Sequence, residues 1–181
     1  MLPLVVPTPD DPATNDVWGQ TVNAALAAVN NIIVRKTADE PINATTLQND
    51  DHLVAAVEAN AVYAVEWWLR MDGPAANDFK YSWVGPAGAT MVWHSLGRGS
   101  AVAAATPAAI GDAPFDQDGP TIGTVINHGT VAAGTFTSVK GSGYLAVAGT
   151  AGSLQMQWAQ IVAAASTTLR IGSWLRLERI A

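Results

Sequence analysis

Residues 149–181 read GTAGSLQMQWAQIVAAASTTLRIGSWLRLERIA, and this stretch sets the pattern by which the rest of the chain is understood. Within 153–160, Leu154, Met156 and Trp158 fall on one side of a period of two, while Gln155, Gln157 and Gln160 lie largely on the other. That is how side chains stand on a pleated strand. One face packs on a core and the other does not, as in an antiparallel sheet. Residues 173–180 repeat the device, with Leu175 and Leu177 opposed to Arg176 and Glu178. The Ala/Ser/Thr-rich piece between them reads as a loop. The last strand is expected to be tied into a sheet with no tail after it.

Working backwards, the same period marks strands at 53–58, 61–71, 79–84, 89–96, 121–127, 130–139 and 143–148. In 61–71, Tyr63, Val65, Trp67 and Leu69 face one way and Glu66 and Arg70 the other, with Trp68 interrupting the polar side. Turns are expected at Asn60, at Gly85-Pro86-Ala87-Gly88, at Asn127-His128-Gly129 and at Lys140-Gly141-Ser142. The strands from 53 to 96 then make a meander. Residues 97–119, rich in Gly, Ala and Pro, read as a surface excursion with a short helix at 107–110. About eight or nine short strands at roughly ten-residue spacing, with no crossover helices, predict a mainly β fold. Its form is an antiparallel β-sandwich, jelly-roll-like, with Greek-key closure.

Ahead of the strands, Pro3, Pro7, Pro9 and Pro12 lock φ and remove backbone donors, which predicts an extended arm. From Asn15 or Asp16, both good N-caps, Trp18, Val22, Ala25, Leu26, Val29 and Ile33 recur at helical spacing. The helix packs on its own domain or bundles with two copies at a symmetry axis. The chain is thus divided into residues 1–34, an arm and helix for attachment and trimerisation, and residues 35–181, a β-sandwich knob. Trp18, Val22, Leu26, Val29, Trp68 and Trp174 are the residues assigned to an oligomer or particle interface.

Composition narrows the function. Of 181 residues, 49% are hydrophobic and only 13% charged, about half the usual roughly 25%. A surface so poor in charge suits burial against copies of itself. Nine basic residues, scattered under a net charge of −6, do not make a phosphate-binding footprint, so nucleic acid is discarded as a partner. No cysteine is present, which removes disulfides and thiolate metal sites. The start of the chain lacks a basic signal-peptide region, and nowhere do about 20 apolar residues run together, so membrane insertion is not expected and the protein is read as folded in the cytosol.

The search for chemistry is mostly negative. His52, His94 and His128 have no partner at metal-motif spacing and read as turn or strand-surface residues. HExxH, GxSxG, GxGxxG and P-loop signatures are absent. Asp112, Asp116 and Asp118 resemble a loose calcium loop but lack its closing bidentate Glu. In Asn49-Asp50-Asp51-His52 the side chains are expected to bond their own backbone. Glu58, Glu66 and Asp72 are the acids a glycosidase would draw on, yet nothing pairs them, and Glu66 with Arg70 reads as an ion pair. No catalytic, cofactor-binding or metal residue is assigned. Seven tryptophans read as core and interface anchors ahead of sugar-stacking platforms.

The closing pattern GTAGSLQMQWAQ…LRIGSWLRLERIA resembles the C-terminal sandwich of minor tail, fibre and other appendage proteins of tailed phages infecting actinobacteria. The segment RKTADEPINATTLQNDDHLVAAVEANAVYAVEWWLRMDG, followed by FKYSWVGPAGATMVW, is similar to the opening strands of that module. PTPDDPATNDVWGQTVNAALAAVNN resembles the attachment segments of phage fibres. The resemblance implies a non-enzymatic virion protein, a homotrimeric tail or fibre-like appendage whose arm binds other virion proteins, assembled in the host cytoplasm. The chain is short and lacks shaft repeats. A capsid (head) decoration or head-fibre protein and a carbohydrate or receptor-binding module, with a host surface glycan as partner, are the alternatives.

Overall fold

Residues 31–100, 114–163 and 165–181 are described in the structure, a computed structural model, and they form twelve strands and no helix. The proline-rich arm, the predicted helix with Trp18, Val22, Leu26 and Val29, and the short helix at 107–110 lie outside the described residues. All the strands but the first residue of the Asn31–Arg35 strand lie in the compact unit Ile32–Ala181.

The larger sheet holds β1 (Asn31–Arg35), β2 (Glu40–Ile42), β4 (Val62–Asp72), β6 (Thr90–Arg98), β7 (Pro114–Thr121), β9 (Thr137–Ala146), β11 (Thr167–Leu169) and β12 (Trp174–Arg179). The smaller holds β3 (Gln48–Val57), β5 (Phe79–Val84), β8 (Ile126–His128) and β10 (Gly152–Ala159). Strand order is β1-β12-β4-β9-β6-β7 in the first, with β11 also on β4 and β2 beyond it, and β3-β10-β5-β8 in the second. Every pairing whose register is defined is antiparallel. Early strands pair with late ones, from the ends towards the middle: β1 with β12, β3 with β10, β4 with β9, β5 with β8. β6 and β7 extend the larger sheet beyond β9.

The two sheets share one core because each turns its apolar side inward. Trp67, Leu69, Met91, Trp93, Leu175 and Leu177 come from the larger, and Phe79, Tyr81, Trp83, Leu154, Met156 and Trp158 from the smaller, all essentially sealed from solvent. At the centre the Trp67 ring meets Trp83 at 5.1 Å and Trp93 at 5.6 Å, both edge-on. Such pairs contribute about 0.5–1.5 kcal/mol beyond area burial.

The alternation at 153–160, 173–180, 61–71 and 79–84 becomes β10, β12, β4 and β5, with the inward residues as expected from the pattern. Gln160 departs from it: just past β10 it is buried, its amide donating to Thr167 Oγ1 at 3.1 Å. The meander does not form. β3, β4, β5 and β6 alternate between the sheets, so Gly85–Gly88 is an arch across the core rather than a hairpin turn. Its turn is closed by Ala89 N–H donating to Pro86 O at 3.0 Å, with Gly88 at φ 76°. Alternation records which side of a strand is buried and carries no information about which neighbour it pairs with.

A second departure has a steric cause. The strands expected at 130–139 and 143–148 are one, β9, running through Lys140-Gly141-Ser142 without a turn. A Cβ on Gly141 would lie 2.1 Å from Trp67 Cζ2, and one on Gly143 2.6 Å from Trp93 Cβ. Glycine is there to let two indoles lie against the strand, a role it shares with turn formation at the level of sequence. Between β7 and β9 only Ile126–His128 is strand, in place of 121–127. Asn31–Arg35 is strand where helical spacing had run on to Ile33. Of the expected excursion at 97–119, residues 114–119 belong to β7.

Candidate interaction face and buried polar clusters

Alternation also gives the larger sheet a face turned away from the core, and the register arranges that face in rows. Trp174 of β12 stands opposite Trp68 of β4, which stands opposite Lys140 of β9 and then Leu96 of β6. The next row is Arg176, Glu66, Ser142 and His94, and the next Glu178, Ala64, Tyr144 and Val92. Trp68 and Trp174 are half-buried, while Leu96, Tyr144 and Val92 are 38%, 47% and 48% exposed. Arg176 donates to Glu66 at 3.4 Å and to Glu178 at 2.8 Å. Exposed pairs of this kind contribute about 0–1 kcal/mol, so their importance lies in the pattern: a belt of both signs between two rows that are apolar except at Lys140 and Glu178.

Of the residues assigned to an interface, Trp68 and Trp174 are therefore neighbours on one face, and Trp18, Val22, Leu26 and Val29 lie outside the described residues. Trp67, Trp83, Trp93 and Trp158 are in the core, out of reach of any sugar. The Glu66–Arg70 pair is replaced by Glu66–Arg176, and the Arg70 guanidinium instead lies 3.6 Å from the centre of the Phe136 ring.

The three acids nominated for glycoside chemistry are engaged by three different arginines. Glu58 binds Arg179 at 2.5 Å, Glu66 binds Arg176, and Asp72 accepts from both Nε and Nη2 of Arg170. Asp72 Oδ2 also accepts from the Gly134 N–H at 2.6 Å, and Arg170 reaches Asp39 at 2.8 Å. Burial pushes the Asp72 carboxyl up, but the Arg170 guanidinium and the Gly134 N–H outweigh it and leave it below the ordinary range. Asp116 and Asp118 are on β7, in a strand rather than a calcium-type loop, and Asp112 lies outside the described residues.

His128 is not a turn residue; it lies in β8, fully buried. Tyr81 Oη is 2.7 Å from Ser95 Oγ, Ser95 Oγ is 2.7 Å from His128 Nε2, and His128 Nδ1 is 3.2 Å from Arg98 O. A carbonyl only accepts, so the network assigns the proton to Nδ1, and Nε2 accepts from the serine, which accepts from the tyrosine. A Ser–His contact can begin nucleophilic chemistry, but Ser95 is sealed in the core with its oxygen engaged on both sides. The chain of bonds satisfies polar groups that would otherwise be costly to bury. Gly97 makes room for it, since a Cβ there would lie 2.7 Å from His128 Nδ1.

Burial pushes His128 down to about 4 from its ordinary 6.5, against the opposing contact with Arg98. The unfolded chain therefore takes up this proton first as pH falls. Stability is complete above pH 6.5 and declines towards pH 4, by on the order of 3 kcal/mol in all. Thermal midpoints measured from pH 7 to 4 should fall more steeply for the natural sequence than for His128→Asn; equal slopes would remove the histidine as the cause.

Lys36 is the feature that sequence reasoning missed. Its backbone is clamped to the β11–β12 turn, Lys36 N–H donating to Ser173 O at 2.8 Å and its carbonyl accepting from Gly172 N–H at 3.1 Å. Its ammonium, fully buried, sits 2.5 Å from Glu40 Oε2 and 2.5 Å from Asp50 Oδ2, with His52 Nδ1 at 3.5 Å. Glu40, Asp50 and His52 bring their ligand atoms within 4.8 Å of one another, close enough to hold a metal ion. The ammonium already stands among them and supplies the positive charge. Asp50 Oδ1 accepts from the N–H of His52 at 2.9 Å and of Leu53 at 2.6 Å. This is the self-bonding expected of the Asn49–His52 stretch, set inside a strand: residues 50–53 bulge opposite Met156 between the Val54–Gln155 and Asn49–Gln157 pairs. Burial raises the Glu40 carboxyl, and the Lys36 ammonium opposes the rise only in part. The readable signal was a lysine followed by two acidic doublets, Asp39-Glu40 and Asp50-Asp51.

No protein family and no curated protein matches the sequence. A solved structure described as that of infectious bursal disease virus, strain Gt, is similar over 82% of this chain at 13% identity with a TM-score of 0.18. The chain spans 40% of that structure's chain, and a score this low carries no argument about this protein.

Proposed function

We propose that this chain is a non-enzymatic structural subunit of a phage virion, a homotrimeric tail or fibre-like appendage. In this reading the two-sheet unit is a jelly roll, which the end-to-middle strand pairing supports. The observation that carries the proposal is the outward face of the larger sheet. Trp68 and Trp174 sit side by side there, flanked by exposed Leu96, Tyr144 and Val92 and crossed by a belt of both charges. A second copy of the chain fits such a face: apolar rows cover apolar rows, and the Glu66, Glu178, Arg176 and Lys140 charges include partners for one another. Low overall charge supports the same reading, since obligate interfaces are depleted in charge.

Light scattering on the purified full chain should give the mass of a trimer. Trp68→Ser with Trp174→Ser, on the far side of the sheet from the core, should dissociate it while leaving the near-ultraviolet dichroism of the core tryptophans in place. A monomeric natural protein overturns the assembly reading. If that monomer also bound sugars, with loss of binding in the double variant, a carbohydrate-binding module would replace it, because paired half-exposed indoles are also a stacking surface.

A further inference from the structure

We propose that Lys36 and Asp50 form an intramolecular amide bond, made by the protein itself within the buried cluster. Four observations place the reactants. The nucleophile and the acyl group are in contact, Nζ lying 2.5 Å from Asp50 Oδ2. Both side chains are wholly withdrawn from solvent, so water does not compete with the amine for the acyl carbon. Asp50 Oδ1, which becomes the amide oxygen, already accepts two backbone N–H bonds, from His52 and Leu53. Those donors are placed to hold the negative charge that develops on this oxygen when nitrogen attacks the carboxyl carbon. Glu40 Oε2 stands 2.5 Å from the same Nζ, and its carboxyl is pushed up by burial, which suits a group that carries a proton from nitrogen to oxygen.

The step balances without oxidant or cofactor. The bond formed is Nζ–Cγ and the bond broken is Cγ–Oδ2. Of the three protons on the lysine ammonium one stays on the amide nitrogen. Two pass to Oδ2, relayed by Glu40, and it leaves as water. The product joins the chain just after β1, in the larger sheet, to β3 in the smaller.

Intact-mass spectrometry of the purified full chain tests this. The expected mass is one water below that of the sequence, and proteolysis should yield a branched peptide containing residues 36 and 50. Glu40→Gln should retain the full mass while keeping its near-ultraviolet dichroism. Asp50→Asn should lose ammonia instead and arrive at the same final mass as the natural protein, since the product is chemically identical. Full mass in the folded natural protein, or loss of water with residues 36 and 50 recovered in separate linear peptides, overturns the proposal.

Discussion

Gly141→Ala should destabilise the protein by roughly 3 kcal/mol or more, from the addition of one methyl group. The added carbon would lie 2.1 Å from Trp67 Cζ2 and 2.6 Å from the His94 carbonyl oxygen. Neither neighbour can give way. The Trp67 ring is fixed edge-on between Trp83 and Trp93, and the His94 carbonyl belongs to β6, directly paired with β9. Cores packed like crystals do not absorb such an insertion locally, so the cost is borne by sheet pairing or by the whole aromatic cluster. Gly149→Ala is the control, because a Cβ there meets nothing within 4 Å. Denaturant midpoints should separate the two variants widely; a Gly141→Ala protein as stable as Gly149→Ala would mean that the indole is not held against the strand.

Relative to natural protein in which the Lys36–Asp50 amide has not formed, Lys36→Met should cost about 3–5 kcal/mol, the usual penalty for removing one partner from a buried ion pair; an amide-linked reference widens the gap by the lost cross-link. The methionine fills much the same volume, so the loss is electrostatic and not a cavity effect. Without the ammonium, the buried Asp50 carboxylate and the partly exposed Glu40 carboxylate are left together with no counter-charge between them. The penalty should therefore shrink as the solution is acidified, since protonation relieves the repulsion that the substitution exposes. Urea unfolding at pH 7 and at pH 5 checks both the size and its direction; a pH-independent difference would point to lost packing in place of uncompensated charge.

Much of this architecture could be read from spacing alone. Leu154, Met156, Trp158, Leu175, Leu177 and the run from Tyr63 to Leu69 are inward because a pleat turns alternate side chains the same way, and a period of two records that directly. Partner choice is different. Each strand of 53–96 carries the same alternation whichever sheet it joins, so the arch at Gly85–Gly88 and the true neighbours could not be distinguished from a meander. Glycine misled for a related reason, because the missing Cβ that permits a turn also permits an indole to rest on a strand, as at Gly141. The face with Trp68 and Trp174 was half legible: Trp68 interrupts a polar side, but only the register sets Trp174 opposite it. The two buried clusters were hidden, since Ser95 meets Tyr81 and His128, and Asp50 meets Lys36 and Glu40, only when the sheets stack.

The end-to-middle pairing of strands has a consequence for how the polypeptide must be made. β1 has its hydrogen-bonding neighbour in β12, so the earliest-made of the described strands waits for Trp174–Arg179 before its own edge is covered. Until then a nascent chain carries unpaired edges and several tryptophans without shelter. Closing such distant partners is slow compared with synthesis of local structure, and uncovered edges invite pairing with other chains. Prematurely terminated products should therefore be insoluble as a class, and the timing of release, more than the strength of any single contact, should govern how much functional material a cell obtains.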